Sequence, residues 1–202
     1  YVNSLRETGK VVANCHNLPA SLFDRRRVGV DEMLRGWIPL IERLSGSNPE
    51  LRIMFTVSPI RHLRDGAHEN QLSKSVLLLF VDELCRMYPD RCIYFPSYEI
   101  VMDELRDYRF YDAGMTHPNE QAIRYIWERF SEACFSEETR TLNREWERLE
   151  KALNHRPLTP DKDTFRDFTV QNLFKLKKIR EKYSYFDLSK EIDSLELFLK
   201  TL

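Results

Sequence analysis

The spacing of apolar and polar positions divides the first half of the chain into strands and helices. Short apolar runs at 10–13, 51–57 and 91–95 predict three buried strands, and polar residues or proline end each run. Between these runs, apolar residues at helical spacing predict helices over 29–45 and 71–87. The order strand, helix, strand, helix, strand predicts βαβ units, and therefore an α/β fold with a parallel sheet.

The second half of the chain is predicted to be helical. Over 119–201 the apolar residues recur at helical spacing, with a restart near 136–138 and a break at the two prolines of 155–160. We therefore divide the chain into an α/β domain over 1–135 and a helical C-terminal extension over 136–202.

Composition narrows the class of protein. The 202 residues are 42% hydrophobic and 31% charged, which is too apolar for a disordered chain and too interrupted for a membrane protein. The formal net charge of −1 argues against a nucleic-acid binder, which usually carries a basic excess. Cys15, Cys85, Cys92 and Cys134 form no Cys-x-x-Cys pair, and we interpret them as the reduced thiols of a cytoplasmic protein.

The start of the chain and the number of strands predict that the sheet is incomplete on its N-terminal side. The sequence opens at Tyr1 without a Met or a secretory signal. Three strands are fewer than the usual 4–6 of an open sheet. Because an unpaired sheet edge invites association, a homo-oligomer is a possible outcome.

Polar side chains follow each predicted strand. The carboxyl ends of parallel strands meet at one edge of a sheet, where α/β proteins bind their ligands, and the tyrosine- and arginine-rich loop of 106–111 can reach that edge. The candidate site residues are Asn14, His16, Arg61, His62, Arg106, Arg109, Tyr111 and His117.

This set of residues suits an ester or acyl hydrolase. Such a site needs a nucleophile, a histidine base and donors for the oxyanion. His117 is the candidate base, Asn14 the candidate oxyanion donor, and the other residues candidate substrate-binding groups. Each has a plainer structural interpretation, because Asn14 can close a turn and the loop charges can form an ordinary ion-pair network.

Other chemistries are disfavoured. Cys15 and His16 are adjacent, so their side chains point to opposite faces of a strand and form neither a catalytic pair nor a shared zinc site. Ser58 is followed by Pro59, which lacks the backbone N–H that a nucleophile elbow uses for the oxyanion. No metal and no cofactor are predicted.

Five segments together resemble the GSCFA domain, which belongs with the SGNH/GDSL-like hydrolases. The segments are VANCHNLP, TVSPIRHLRDG, NQLSK, YFPSYEIVMDELRDYRFY and THP at 116–118. The resemblance implies a three-layer, flavodoxin-like parallel sheet and a serine nucleophile in a Gly-Ser-Cys-Phe-Ala motif. It also implies that Asn14 helps to form the oxyanion hole and that His117 is the base of a late Asp-x-x-His motif.

The sequence departs from this pattern in two places. Gly-Ser-Cys-Phe-Ala does not occur in the 202 residues, so we expect the nucleophile and its strand to lie upstream of Tyr1. Gly114 stands where the Asp-x-x-His pattern has its acid. Three alternatives follow: either the base works without a carboxylate, or a nearby acid such as Asp112 takes that role, or the site is degraded.

The interpretation that we favour is hydrolysis of a small-molecule or carbohydrate ester, with neither nucleic acid nor membrane as a partner. This chain by itself is expected to be inactive. The alternative is a non-catalytic module that binds an anion or a carbohydrate on the same fold, which Gly114 and the arginine-rich edge favour. A third possibility is a helical interaction surface on the stripe of Phe165, Phe168, Leu173, Phe174 and Leu176.

Overall fold

The chain folds into two compact units, Tyr1–Phe130 and Ser131–Leu202. This computed structural model describes residues 1–12, 18–154 and 162–201. The first unit combines strands with helices, and the described part of the second unit is helical. The predicted mixed α/β class is therefore confirmed.

The chain begins with a small antiparallel sheet. Its strands are β1 (Val2–Leu5), β2 (Val11–Val12) and β3 (Phe23–Arg26), in the order β2-β1-β3. The predicted strand at 10–13 is thus real in part but was wrongly placed in the parallel sheet and wrongly taken as buried, since Val11 is 63% exposed. The reason is local, because Gly9 at φ +66° lets the chain reverse and pair β2 with β1.

A βαβ unit follows, as the strand and helix spacing predicted. Helix α1 (Val30–Ser47) leads into strand β4 (Ile53–Thr56), helix α2 (Ala67–Met87) and strand β5 (Cys92–Phe95). β4 and β5 are parallel, with Ile53 opposite Cys92. Within the described residues this parallel sheet has two strands, and the predicted strand at 10–13 belongs to the antiparallel sheet instead.

One face of β4 and β5 forms the core of this unit against α1 and α2. Side chains alternate across a strand, so Phe55 points toward the helices, where its ring packs edge-on against Trp37 at 5.4 Å between centroids. Leu84 is fully buried and Ile41 is 1% exposed. The buried cluster consists of Ile41, Phe55, Val57, Phe80, Val81, Leu84, Cys92 and Tyr98.

The segments after β5 carry the candidate loop. Helix α3 (Ser97–Glu99) continues as a π-helical turn over Ile100–Leu105, and a 3-10 turn follows at Tyr108–Phe110. Helix α4 (Glu120–Cys134) comes after the loop that holds His117.

Within the described residues, the second unit begins with the end of α4 and continues with α5 (Glu137–Leu153), α6 (Lys162–Lys182) and α7 (Ser189–Thr201). Ser136 accepts a hydrogen bond from the Thr139 N–H at 3.2 Å and so caps α5, at the restart that the sequence indicated. The core consists of Leu149, Leu176, Ile179, Tyr183, Leu188 and Ile192.

The aromatic stripe of α6 is divided between core and surface. Leu176 is fully buried, and the Phe165 ring packs against Phe198 at 5.3 Å, whereas Phe174 remains 59% exposed. A continuous exposed stripe is therefore not present. Among the described residues, none of the helices has both the length and the apolar content that crossing a lipid bilayer requires.

Candidate active site

Hydroxyl groups join the carboxyl ends of the two parallel strands. Ser97, directly after β5, donates a hydrogen bond to the carbonyl oxygen of Val57 at 2.9 Å. The Thr56 and Ser97 hydroxyls are also hydrogen-bonded to each other. Because these bonds hold the ends of β4 and β5 together, the Ser97 hydroxyl already serves the fold.

The outer face of β4 lines an apolar cavity of about 750 Å³. We call it the acyl cavity. Helix α4 supplies the opposite wall, and Ser58, Ser97 and His117 are among the polar residues that line the cavity. The other lining residues are Met54, Thr56, Pro59, Ile60, Phe95, Pro118, Ile123, Ile126, Trp127 and Phe130.

A short hairpin holds His117 at this cavity. Tyr111 and Pro118 form an antiparallel bridge, and the Asp112 N–H donates to the carbonyl oxygen of His117 at 2.8 Å. The Arg61 N–H donates to the carbonyl oxygen of Thr116 at 2.9 Å, which fastens the hairpin to the segment after β4. Backbone bonds thus fix the position of His117.

The hairpin brings Asp112 beside the imidazole of His117. Asp112 Oδ2 lies 3.7 Å from His117 Nδ1, and the Thr116 hydroxyl lies 2.9 Å from the same nitrogen. Asp112 Oδ1 also accepts from the N–H groups of Thr116 and His117 at 3.3 and 3.4 Å. Because Nδ1 is turned toward Thr116 and Asp112, Nε2 is the ring nitrogen left to face a reacting group, which is the arrangement of a hydrolase base.

Gly114 is the position where the resemblance to the GSCFA domain implies an acid. A Cβ atom built on Gly114 would lie 3.4 Å from Asp112 Oδ1 and 3.6 Å from the Thr116 hydroxyl, which is ordinary van der Waals contact. Asp112 therefore occupies the neighbourhood that a side chain at 114 would enter.

A second, polar cavity of about 280 Å³ lies around two arginines. We call it the arginine cavity; it is lined by Arg61, Val101, Met102, Arg106, Asp107, Tyr108 and Tyr111. The Arg61 guanidinium stacks over the Tyr111 ring at 4.2 Å and over the Tyr108 ring at 5.2 Å from the centroids. Three of the predicted substrate-binding residues therefore share one cavity.

Two further predicted substrate-binding residues, Arg109 and His62, lie elsewhere. The Arg109 guanidinium lies over the Phe110 ring and 3.6 Å from Asp107. His62 lines neither cavity. Burial, together with the positive charges of Lys74 and Arg25, lowers the pKa of its imidazole.

Two predicted residues, Asn14 and His16, lie outside the described residues. The roles assigned to them, and the catalytic role of His117, remain predictions.

Lys74 is a buried charge that the sequence argument did not select. Its side chain lies in the interior, where Nζ donates to the carbonyl oxygen of Ser58 at 2.5 Å, and burial lowers its pKa. The signal was available, because Lys74 precedes Leu77, Val81 and Leu84 at helical spacing and so falls on the buried face of α2.

Comparison with models of protein families supports the resemblance that the five segments show. The model of the GSCFA family matches residues 1–130. The chain belongs to the GSCFA family. A second model, described as the C-terminal domain of GSCFA domain proteins, matches residues 146–201. Searches of curated proteins and of solved structures found no match.

Family membership confirms the resemblance that the five segments suggested. The GSCFA match covers the antiparallel sheet, the βαβ unit, the His117 hairpin and both cavities, since all of them lie within residues 1–130.

Proposed function

We propose that His117 and the acyl cavity belong to the active site of an ester or acyl hydrolase. One observation carries this proposal: a histidine with a carboxylate at Nδ1 lines an apolar cavity at the carboxyl ends of parallel strands. That is the edge at which α/β proteins bind ligands, and a carboxylate–imidazole pair is the general base of many hydrolases.

The acyl cavity supports an ester with an apolar acyl group as the substrate class. Its walls are mainly aliphatic and aromatic, so an acyl chain would replace water there at a gain of about 0.8 kcal/mol for each buried CH₂ group. The alcohol part of the ester would face solvent beyond His117, and a small alcohol or a carbohydrate would suit that position.

The mechanism follows from the resemblance together with the geometry. A serine hydroxyl attacks the ester carbonyl while His117 Nε2 takes its proton, and Asn14 donates to the oxyanion. His117 then protonates the departing alcohol, and water releases the acyl group by the same steps. The serine is that of the Gly-Ser-Cys-Phe-Ala motif, which these 202 residues do not contain. We likewise propose the three-layer SGNH architecture for the complete fold.

Hydrolysis of p-nitrophenyl butyrate tests the reaction. The 202-residue chain should show no turnover, whereas a chain in which the motif precedes this sequence should hydrolyse the ester. His117→Ala in the active chain should lower kcat by a factor on the order of 10⁴. Turnover that persists in the His117→Ala variant would refute the assignment of the base.

Binding of octanoate tests the acyl cavity in the 202-residue chain itself. Trp127 lines the cavity, so its fluorescence should change as octanoate binds. Ile123→Glu places a charge on the 57% exposed wall residue and should abolish this change. Leu79→Glu makes the same substitution at a 61% exposed position on α2, away from the cavity, and should leave binding intact. Equal binding by both variants would contradict the proposal.

A further inference from the structure

We propose that the arginine cavity is a binding site for a small organic anion, either a phosphate monoester or a carboxylate. The proposal goes beyond the hydrolase reaction, because Arg61, Arg106, Tyr108 and Tyr111 do not line the acyl cavity. It stands on the charge balance of the cavity, one buried hydroxyl and the backbone of Arg106.

The charge balance leaves two guanidinium groups for a ligand. Within the described residues, neither Arg61 nor Arg106 has a carboxylate at ion-pair distance. The acidic lining residue is Asp107, whose Oδ2 lies 3.6 Å from Arg109 and whose Oδ1 accepts from the Arg109 N–H at 3.0 Å. Planar guanidinium groups bind carboxylates and phosphates through paired hydrogen bonds, so an anion is the ligand this cavity favours.

The hydroxyl of Tyr111 adds a third donor. Tyr111 is 7% exposed, and its buried hydroxyl makes no hydrogen bond of normal geometry to any described residue, although the Arg61 guanidinium lies close enough to interact with it. Buried hydroxyls are nearly always paired, so one without a protein partner indicates a ligand or a bound water. An anion oxygen would accept from this hydroxyl and from Arg61, whose guanidinium lies over the same ring.

The backbone around Arg106 is held in an unusual conformation. Arg106 has φ +50° and ψ 8°, the left-handed region that non-glycine residues seldom adopt, and it ends the π-helical turn of Ile100–Leu105. Both features are enriched at functional sites. The conformation presents an arginine where a glycine would be easier to accommodate, which fits a role for the guanidinium.

The volume of the cavity determines the size of the ligand. A cavity of about 280 Å³ has more room than a lone phosphate or carboxylate group needs. The ligand should therefore carry its charge on a small organic body, and the exposed Tyr108 ring offers a face for that body.

Calorimetric titration of the 202-residue chain tests the proposal with three matched probes: glycerol phosphate, glycerate and glycerol. At low salt we expect one or both anions to bind and glycerol not to bind. Tighter binding of glycerol phosphate would assign a phosphate monoester, and tighter binding of glycerate an organic acid. Binding of neither anion, or equal binding of glycerol, would overturn the proposal.

Variants separate the site from general charge effects. Arg106→Gly removes the guanidinium and relaxes the left-handed backbone, so the variant should fold and should bind about tenfold or more weakly. Arg124→Gln removes the same charge from an exposed arginine of α4 that does not line the cavity, and should leave the affinity within about twofold. If both variants weaken binding equally, the anion responds to the charge of the whole surface, and the site is wrongly assigned.

Discussion

Replacing Tyr111 by Phe should stabilise the ligand-free protein. The substitution removes one oxygen atom from a side chain that is 7% exposed and keeps the ring that Arg61 covers. Within the described residues the hydroxyl makes no hydrogen bond of normal geometry, so its removal breaks none there. The substitution therefore removes a polar group that folding takes out of water without a well-formed hydrogen bond, even though Arg61 lies beside it.

The magnitude follows from two opposing contributions. A buried polar group without a partner costs about 1–3 kcal/mol. Removing the oxygen forfeits a few van der Waals contacts of ~0.1–0.2 kcal/mol each. The free energy of unfolding should therefore rise by about 1 kcal/mol, which corresponds to a Tm increase of about 2–4 °C for a domain of this size.

Urea unfolding followed by tryptophan fluorescence measures this change. Tyr108→Phe is the control, because Tyr108 is 62% exposed and its hydroxyl remains in water, so that variant should match the wild type. A Tyr111→Phe protein that is less stable than the wild type, beside an unchanged Tyr108→Phe protein, would refute the reasoning.

The pH dependence gives a second check on Tyr111. Burial raises the pKa of its hydroxyl, with Arg61 opposing this effect. The ordinary pKa of a tyrosine hydroxyl is near 10. At higher pH the unfolded state loses this proton while the folded state still holds it, so the wild type loses stability as the pH rises. The Tyr111→Phe variant has no such proton, and its advantage in stability should widen above pH 10. A difference that narrows there would contradict the direction of the shift.

Four further predictions concern the core, the buried lysine and the hairpin. Leu84→Ala should lower the free energy of unfolding by about 2–5 kcal/mol in urea, whereas Leu79→Ala, at a 61% exposed position of the same helix, should change it little. Because burial lowers the pKa of Lys74, the wild type should gain stability relative to Lys74→Met as the pH rises toward 10.5, and unfolding at pH 7 and pH 10 measures this. Asp112→Asn should lower kcat of an active, motif-containing chain at least about tenfold but change stability by less than about 1 kcal/mol, since the Asp112–His117 pair is about half exposed. Gly114→Asp should lower the free energy of unfolding by about 1 kcal/mol through repulsion between the new carboxylate and Asp112, and the added Asp112→Asn substitution should recover that stability in urea unfolding.

The helices and the βαβ unit were predictable because their apolar residues repeat at the spacing that burial requires. The stripe of α2 and the run that became β4 both mark faces that pack in the core. β3 was not predictable in this way, since its sequence is Phe23 followed by three charged residues. Pairing with β1, in which Val2 lies opposite Arg26, makes it a strand without burial of an apolar face.

The candidate site was predictable in its residues and not in its arrangement. Arg61, Arg106 and Tyr111 were all selected because they follow strands or lie in the adjoining loop. Their meeting around one cavity depends on the stacking of Arg61 over Tyr111, and Arg109 is excluded because Asp107 and Phe110 engage it. No spacing in the sequence distinguishes these two outcomes.

Four properties could be read from the amino-acid sequence alone: the mixed α/β class, the positions of the main helices, the parallel pairing across the βαβ unit and membership of the GSCFA family. These properties depend on local periodicity and on residue identity, which can be read along the chain. Three others became visible only in the folded chain: β2 pairs with β1 in an antiparallel sheet, Lys74 is buried, and Asp112 lies beside His117 where Gly114 supplies no acid. Each of these depends on contacts between segments that are distant in the sequence. The free energy of such contacts is set by the whole fold and not by the spacing of residues along the chain.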